Sequence, residues 1–127
     1  MTAALQIVAV ATGAATGALA RWGAGLWLNS RYSGFPLGTL LVNVMGGLLI
    51  GMALEWFGRT PDELLRLLLV TGFLGGLTTF SSFSGESLGL LQRGDFGLAL
   101  THTLLHVLGS LAAAAVGIRL MQLLLKA

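Results

Sequence analysis

The sequence predicts an all-α membrane protein with four transmembrane helices, the third of them broken in mid-membrane. Three observations lead there. Only 9% of the residues are charged while 55% are hydrophobic, whereas a soluble domain carries about 25% charge. Apolar runs long enough to cross a bilayer recur four times, separated by short polar connections. The third run gathers glycine, threonine and serine where a membrane helix would be expected to stay apolar.

The chain reads as a single four-helix transmembrane domain over residues 1–127, with helices at about residues 3–28, 36–58, 62–92 and 95–125. The first apolar run lacks a basic leader, so it reads as a retained helix and not as a cleaved signal. The second follows Pro36, a residue suited to the first position of a helix. Pro61 with Asp62 and Glu63 forms the start signature of the third. "QRGD" separates the third from the fourth. Short connections make neighbouring helices antiparallel.

The apolar part of the third helix, residues 64–91, would be about 42 Å long if fully helical, against a hydrocarbon core of about 30 Å. Gly72, Gly75 and Gly76 weaken it and Thr78 and Thr79 add β-branched residues. A break is expected there, and unwound backbone within a membrane has to be buried in protein or line a cavity. Close helix packing through small residues is the alternative use of the glycines.

Lys and Arg are almost evenly split. Arg59, Arg66, Arg119 and Lys126 lie on the side of the termini; Arg21, Arg31 and Arg93 lie on the other. The positive-inside rule then gives little orientation bias, and a chain that inserts both ways can form an antiparallel dual-topology homodimer. No Lys/Arg cluster points to nucleic acid or to lipid headgroups. No cysteine is present, which excludes disulfides and thiolate metal sites.

Polar residues inside a membrane are costly and tend to be functional. Thr39 and Asn43 stand at i, i+4 on one face of the second helix. Asn43 offers two amide donors and one acceptor; helix–helix adhesion is its other use. Phe80 and Phe83 stand at i, i+3, interleaved with Ser81 and Ser84 and followed by Glu86. Phenyl edges carry positive partial charge, so an anion can approach them without meeting a full cation. Glu86 would repel an anion unless it is neutral, paired or turned away. His102, His106 and Ser110 form an i, i+4, i+8 stripe. With no carboxylate or cysteine on that helix to complete a metal site, His106 reads as polar packing or pore lining. Arg21 is the one charge within the first run; it can snorkel to the interface or concentrate anions. No serine has a base in a convincing catalytic arrangement, so an enzyme is not expected.

Three stretches, "GALARW" (residues 17–22), "GTLLVNVMGG" (residues 38–47) and "TGFLGGLTTFSSFSGE" (residues 71–86), resemble the signature blocks of the Fluc (CrcB) fluoride channels, each in the expected helix. The resemblance implies a dual-topology homodimer in the plasma (inner) membrane that exports fluoride passively and lowers its toxicity. It implies two antiparallel pores, each lined by both subunits, and a structural sodium ion at the dimer centre. By position, Phe80, Phe83, Asn43 and Ser110 correspond to fluoride-pore residues and Arg21 to the arginine near the aqueous entrance. Gly75 and Thr78 correspond to the carbonyl donors for sodium. Thr39, Ser81, Ser84 and Glu86 resemble members of a polar track beside the rings; His106 occupies a variable, often aromatic, position. Two rivals stand beside this reading. A dual-topology multidrug exporter would need a carboxylate in the first helix, whereas the first acid here is Glu55. A non-transporting assembly subunit would tolerate loss of Asn43 and Phe83.

Overall fold

The computed structural model describes residues 1–29 and 34–126. Arg31, one of the charges counted above, lies outside the described residues. The described chain is helical in four segments long and apolar enough to cross a membrane. Helix α1 is Ala3–Asn29 and α2 is Leu37–Arg59. The third span, Glu63–Gln92, comprises α3 (residues 63–77) and α4 (Phe80–Gln92). Helix α5 is Phe96–Lys126.

The helix ends follow from side-chain capping. Thr2 accepts the N–H of Leu5 at 3.2 Å and starts α1. Asp62 accepts the N–H of Leu65 at 3.0 Å and starts α3, satisfying donors that a first turn leaves without partners. Helix α4 stops at Gly94, which takes φ 80°. The N–H of Gly94 reaches Leu91 O at 3.0 Å and that of Asp95 reaches Leu90 O at 2.9 Å, the paired bonds of a glycine-terminated helix. Asn29 ties α1 to α2 by accepting the N–H of Gly38 at 2.7 Å.

The third span is irregular over more than the expected break. Leu67–Leu74 winds as a π-helix. Residues 75–77 return to α geometry, and then Thr78 (φ −90°, ψ 153°) and Thr79 (φ −150°, ψ 113°) are extended. The glycines of this span do not all serve the interruption. A Cβ at Gly72 or Gly76 would run into the backbone of α1, at Val10 O and Ala14 O. Those two therefore permit close helix approach, whereas the nearest atom to a Cβ at Gly75 is 3.9 Å away.

The helices associate mainly as two pairs, α1 with α3 and α2 with α5, and α4 lies along α5. The apolar core is small: Val42, Leu74 and Leu77, with Ala24, Leu49, Ile50 and Phe73 against it. Thr39, His102 and His106 are buried, while leucines such as Leu100, Leu108 and Leu111 are exposed. Polar groups are inside and greasy ones outside, the arrangement expected of a chain whose surroundings are hydrocarbon.

Gly17 tests the tight α1–α3 approach. A Cβ there meets Phe73 O and Leu77 N, whereas one at Gly23 meets nothing within 4 Å. Gly17→Ala is expected to destabilise by about 1–3 kcal/mol. Gly23→Ala should be neutral or stabilise by up to about 1 kcal/mol through helix propensity. Reversible SDS unfolding of the two purified variants reads the opposite signs.

Candidate functional site

The interruption at Thr78–Thr79 releases backbone groups from the helical ladder, and Asn43 takes two of them. Thr79 N–H donates to Asn43 Oδ1 at 2.8 Å, and Asn43 Nδ2 donates to Thr79 O at 3.0 Å. A side-chain amide thus clamps a main-chain unit from both sides. The Thr79 hydroxyl caps α4 by accepting the N–H of Ser82 at 3.1 Å. Arg21 takes a third group: its Nε donates to Gly76 O at 3.1 Å, a carbonyl whose usual helical partner, the N–H of residue 80, lies beyond the break. Arg21 therefore turns inward here, away from the snorkelling pose its place near a helix end suggested.

Asn43 also fixes a neighbouring ring. Its Nδ2 lies 3.1 Å from His106 Nδ1. An amide nitrogen can only donate, so His106 Nδ1 accepts, and the neutral ring carries its hydrogen on Nε2. His106 Nε2 is buried and has no hydrogen-bond partner. Both Asn43 Nδ2 hydrogens are engaged, so the donor left open beside Asn43 belongs to His106.

The aromatic rings cluster around that donor. The Phe83 and His106 ring centres are 4.6 Å apart, and Phe83 and Phe80 meet edge-on at 5.3 Å. Phe83 is buried, but Phe80 is 78% exposed. A cavity of about 350 Å³ opens here, lined by Asn43, Thr79, Phe80, Phe83, His106 and Ser110 among others. The Ser110 hydroxyl points to Asn43 O at a long 3.4 Å.

Glu86 stands next to this cluster with both oxygens occupied. Thr39 Oγ1 donates to Oε2 at 2.7 Å, and His102 Nε2 lies 3.2 Å from Oε1. His102 Nδ1 is 2.7 Å from Ser87 Oγ, which is 3.1 Å from Thr103 Oγ1. The carboxylate is thus paired and faces its own helices, one of the arrangements that reconcile it with an anion route.

Of the residues singled out from sequence, the fold brings together Thr39, Asn43, Phe80, Phe83, Glu86, His106 and Ser110. Ser81 and Ser84 are exposed on α4; Ser81 Oγ lies 3.1 Å from Thr79 Oγ1, and Ser84 donates to Phe80 O at 2.9 Å. Gly75 lies in the last helical turn before the interruption and Thr78 lies within it. The N–H four residues beyond each carbonyl is diverted, Thr79 N–H to Asn43 and Ser82 N–H to the Thr79 hydroxyl. Sequence reasoning gave no functional role to three participants. Thr79 acts through its main chain, which composition does not mark. Ser87 was visible only as a serine after Glu86, and His102 was noted in the stripe with His106 and Ser110 but its pairing with Glu86 was not foreseen.

A family model described as CrcB-like protein, Camphor Resistance (CrcB), matches residues 8–118. The chain is similar to a protein named fluoride-specific ion channel FluC from Bordetella petrii, at 56% identity over 116 residues covering 90% of this chain and 89% of the relative. It is 52% identical over 112 residues to the protein of that name from Aromatoleum aromaticum, covering 87% and 86%. With the one from Chromohalobacter salexigens it shares 49% over 116 residues, covering 90% and 88%.

The Asn43 clamp carries a stability prediction. Asn43→Ala strands Thr79 N–H, Thr79 O and His106 Nδ1, and is expected to cost about 3 kcal/mol or more. Ser110→Ala, which loses one long hydrogen bond, should cost under about 1 kcal/mol. SDS titration of both variants measures the difference.

Proposed function

The chain belongs to the CrcB-like family, and on that premise we propose that the cavity beside the interrupted third span carries fluoride across the membrane. The protein is a multi-pass membrane protein and a fluoride-specific ion channel; its relatives bear channel names, and channels are not enzymes. The observation that carries the placement of the route is the unpartnered Nε2–H of His106, buried against Phe83.

Fluoride is small and strongly hydrated, so a pore has to replace lost water without holding the ion so firmly that exit stalls. Weak partial positives suit that need: the His106 N–H, the Ser110 hydroxyl, the Phe80 and Phe83 ring edges, and Asn43 Nδ2 when it exchanges Thr79 O for the ion. Ser81, Ser84 and Thr39 extend a polar track from the rings towards Glu86. Arg21, held on Gly76 O beside the break, adds a positive charge that attracts anions towards the route. Efflux down the gradient through such a path lowers internal fluoride without energy input, across the inner membrane.

A single four-helix domain would not suffice alone. Phe80, Ser81 and Ser84 are exposed on one protomer, so one wall of the proposed route is left open. An antiparallel homodimer covers them and makes two pores, each completed by the second copy; the near-even Lys/Arg split allows both insertions. The diverted helical partners of the Gly75 and Thr78 carbonyls leave hard oxygen donors fitted to a Na⁺ ion. Bound there, sodium would neutralise the carbonyl dipoles and hold the break in shape. A crystal grown in sodium should show density between these carbonyls and their counterparts at the two-fold axis. Cysteine cross-linking in cells should report both orientations. A parallel or monomeric assembly would overturn this arrangement.

Efflux from proteoliposomes read by a fluoride electrode, with chloride as control, tests the route. Phe80→Ile, Phe83→Ile and His106→Phe are each expected to lower fluoride flux at least about tenfold, a loss of about 1.4 kcal/mol at the barrier. Asn43→Asp should abolish flux, because it replaces donors with a fixed negative charge. Intact flux in Phe83→Ile and Asn43→Asp together would show that the ion travels elsewhere.

A further inference from the structure

We propose that Glu86, His102 and His106 form a binding site for a Zn²⁺-type transition-metal dication, and that the bound ion closes the anion route. The site joins two helices: both histidines come from α5, and the carboxylate missing from that helix comes from α4. One ligand atom from each residue lies within 4.8 Å of the others. Glu86 Oε1 and His102 Nε2 are 3.2 Å apart, already close to the separation of about 3.4 Å between tetrahedral ligands at zinc distances. His102 is fully buried and His106 is 4% exposed.

The supporting groups match what such a site requires. A ligating histidine is oriented by a hydrogen bond from its other ring nitrogen, and a ligating carboxylate is itself hydrogen-bonded. Ser87 Oγ sits 2.7 Å from His102 Nδ1, and Thr39 holds Glu86 Oε2 at 2.7 Å. The Ser87 hydroxyl can rotate to accept from Nδ1–H, which frees the Nε2 lone pair for the metal. His106 Nε2 has no partner at all. Two imidazoles and one carboxylate favour Zn²⁺, Co²⁺ or Ni²⁺ over Ca²⁺ or Mg²⁺, which take oxygen donors. An approach exists on each side: a cavity of about 260 Å³ reaches Glu86 from the α1–α2 connection, and the 350 Å³ cavity reaches His106.

Closure follows from charge and from hydrogen bonding; it rests on the fluoride-route reading, while binding does not. One carboxylate leaves a bound dication with net positive charge in an apolar setting. Three protein ligands leave a fourth position open, so an arriving fluoride would be held as a ligand and not passed on. Ligation also breaks the His106–Asn43 bond whichever nitrogen is used. Through Nε2, the ring hydrogen moves to Nδ1 and faces Asn43 Nδ2 donor to donor. Through Nδ1, the metal displaces Asn43 outright.

The test uses chelator-treated, detergent-purified full-length protein. Titration with Zn²⁺ by calorimetry, and with Co²⁺ by its visible absorption, is expected to give one ion per chain. His102→Ala should weaken Zn²⁺ binding at least about a hundredfold. Ser87→Ala, which leaves all three ligands in place, should weaken it about tenfold or more. Unchanged affinity in His102→Ala, or no binding by the parent protein, overturns the site. In proteoliposomes, saturating Zn²⁺ should reduce fluoride efflux at least about tenfold, with recovery on adding EDTA. The same Zn²⁺ should leave the metal-free flux of His102→Ala unaltered. Stoichiometric binding with undiminished efflux overturns the closure. Absence of fluoride flux before any metal is added would instead count against the conduction reading and leave the binding result standing.

Discussion

The structure depends on how the backbone is satisfied where the third span stops being helical. In an apolar span there is no water to accept or donate, so every N–H and C=O freed by Thr78 and Thr79 needs a partner within the protein. Asn43 reaches from α2 to hold Thr79 on both sides, and Arg21 reaches from α1 to hold Gly76 O. These two side chains fix α1, α2 and the break relative to one another. Because Asn43 then has one hydrogen left, it sets the tautomer of His106 on α5. One amide therefore connects backbone repair with the chemistry of the cavity.

The same constraint explains why the interior is polar. Thr39, His102 and His106 are buried where a soluble four-helix protein would place leucines. The glycines allow this without loosening the fold. Backbone contacts Gly76–Ala14 and Gly51–Ala114 draw the helices together at the pair interfaces, and packing takes over the role that hydrophobic burial plays in water. What remains between the pairs is a small volume that hydrogen-bonding side chains can fill. Phe83 is buried against the His106 ring, while Phe80 is left on the exposed face.

Much of this was legible in the primary structure, and the reasons are local. Four apolar runs with short connections give the spans, because hydrophobic length alone decides insertion. Pro61–Asp62–Glu63 and "QRGD" mark the ends of the third span, because caps and glycine turns act within a few residues. Polar residues such as Asn43 stood out by their cost in an apolar run. The glycines were ambiguous, and the fold divides them: Gly72 and Gly76 serve packing, whereas Gly75 stands clear at the interruption. The π-helical winding of Leu67–Leu74, in the segment that packs on α1, left no mark in composition.

The amino-acid order by itself determined the class of protein, the number of spans, and the residue types available at each depth, because these depend on hydropathy and on neighbours close along the chain. Only the tertiary structure decided which polar groups meet. Asn43 and Thr79 are 36 positions apart and Asn43 and His106 are 63 apart, and Glu86 supplies from another helix the carboxylate that α5 lacks. Hydrogen bonds extend about 3 Å, so pairing across such separations is set by how whole helices pack. No local pattern encodes it.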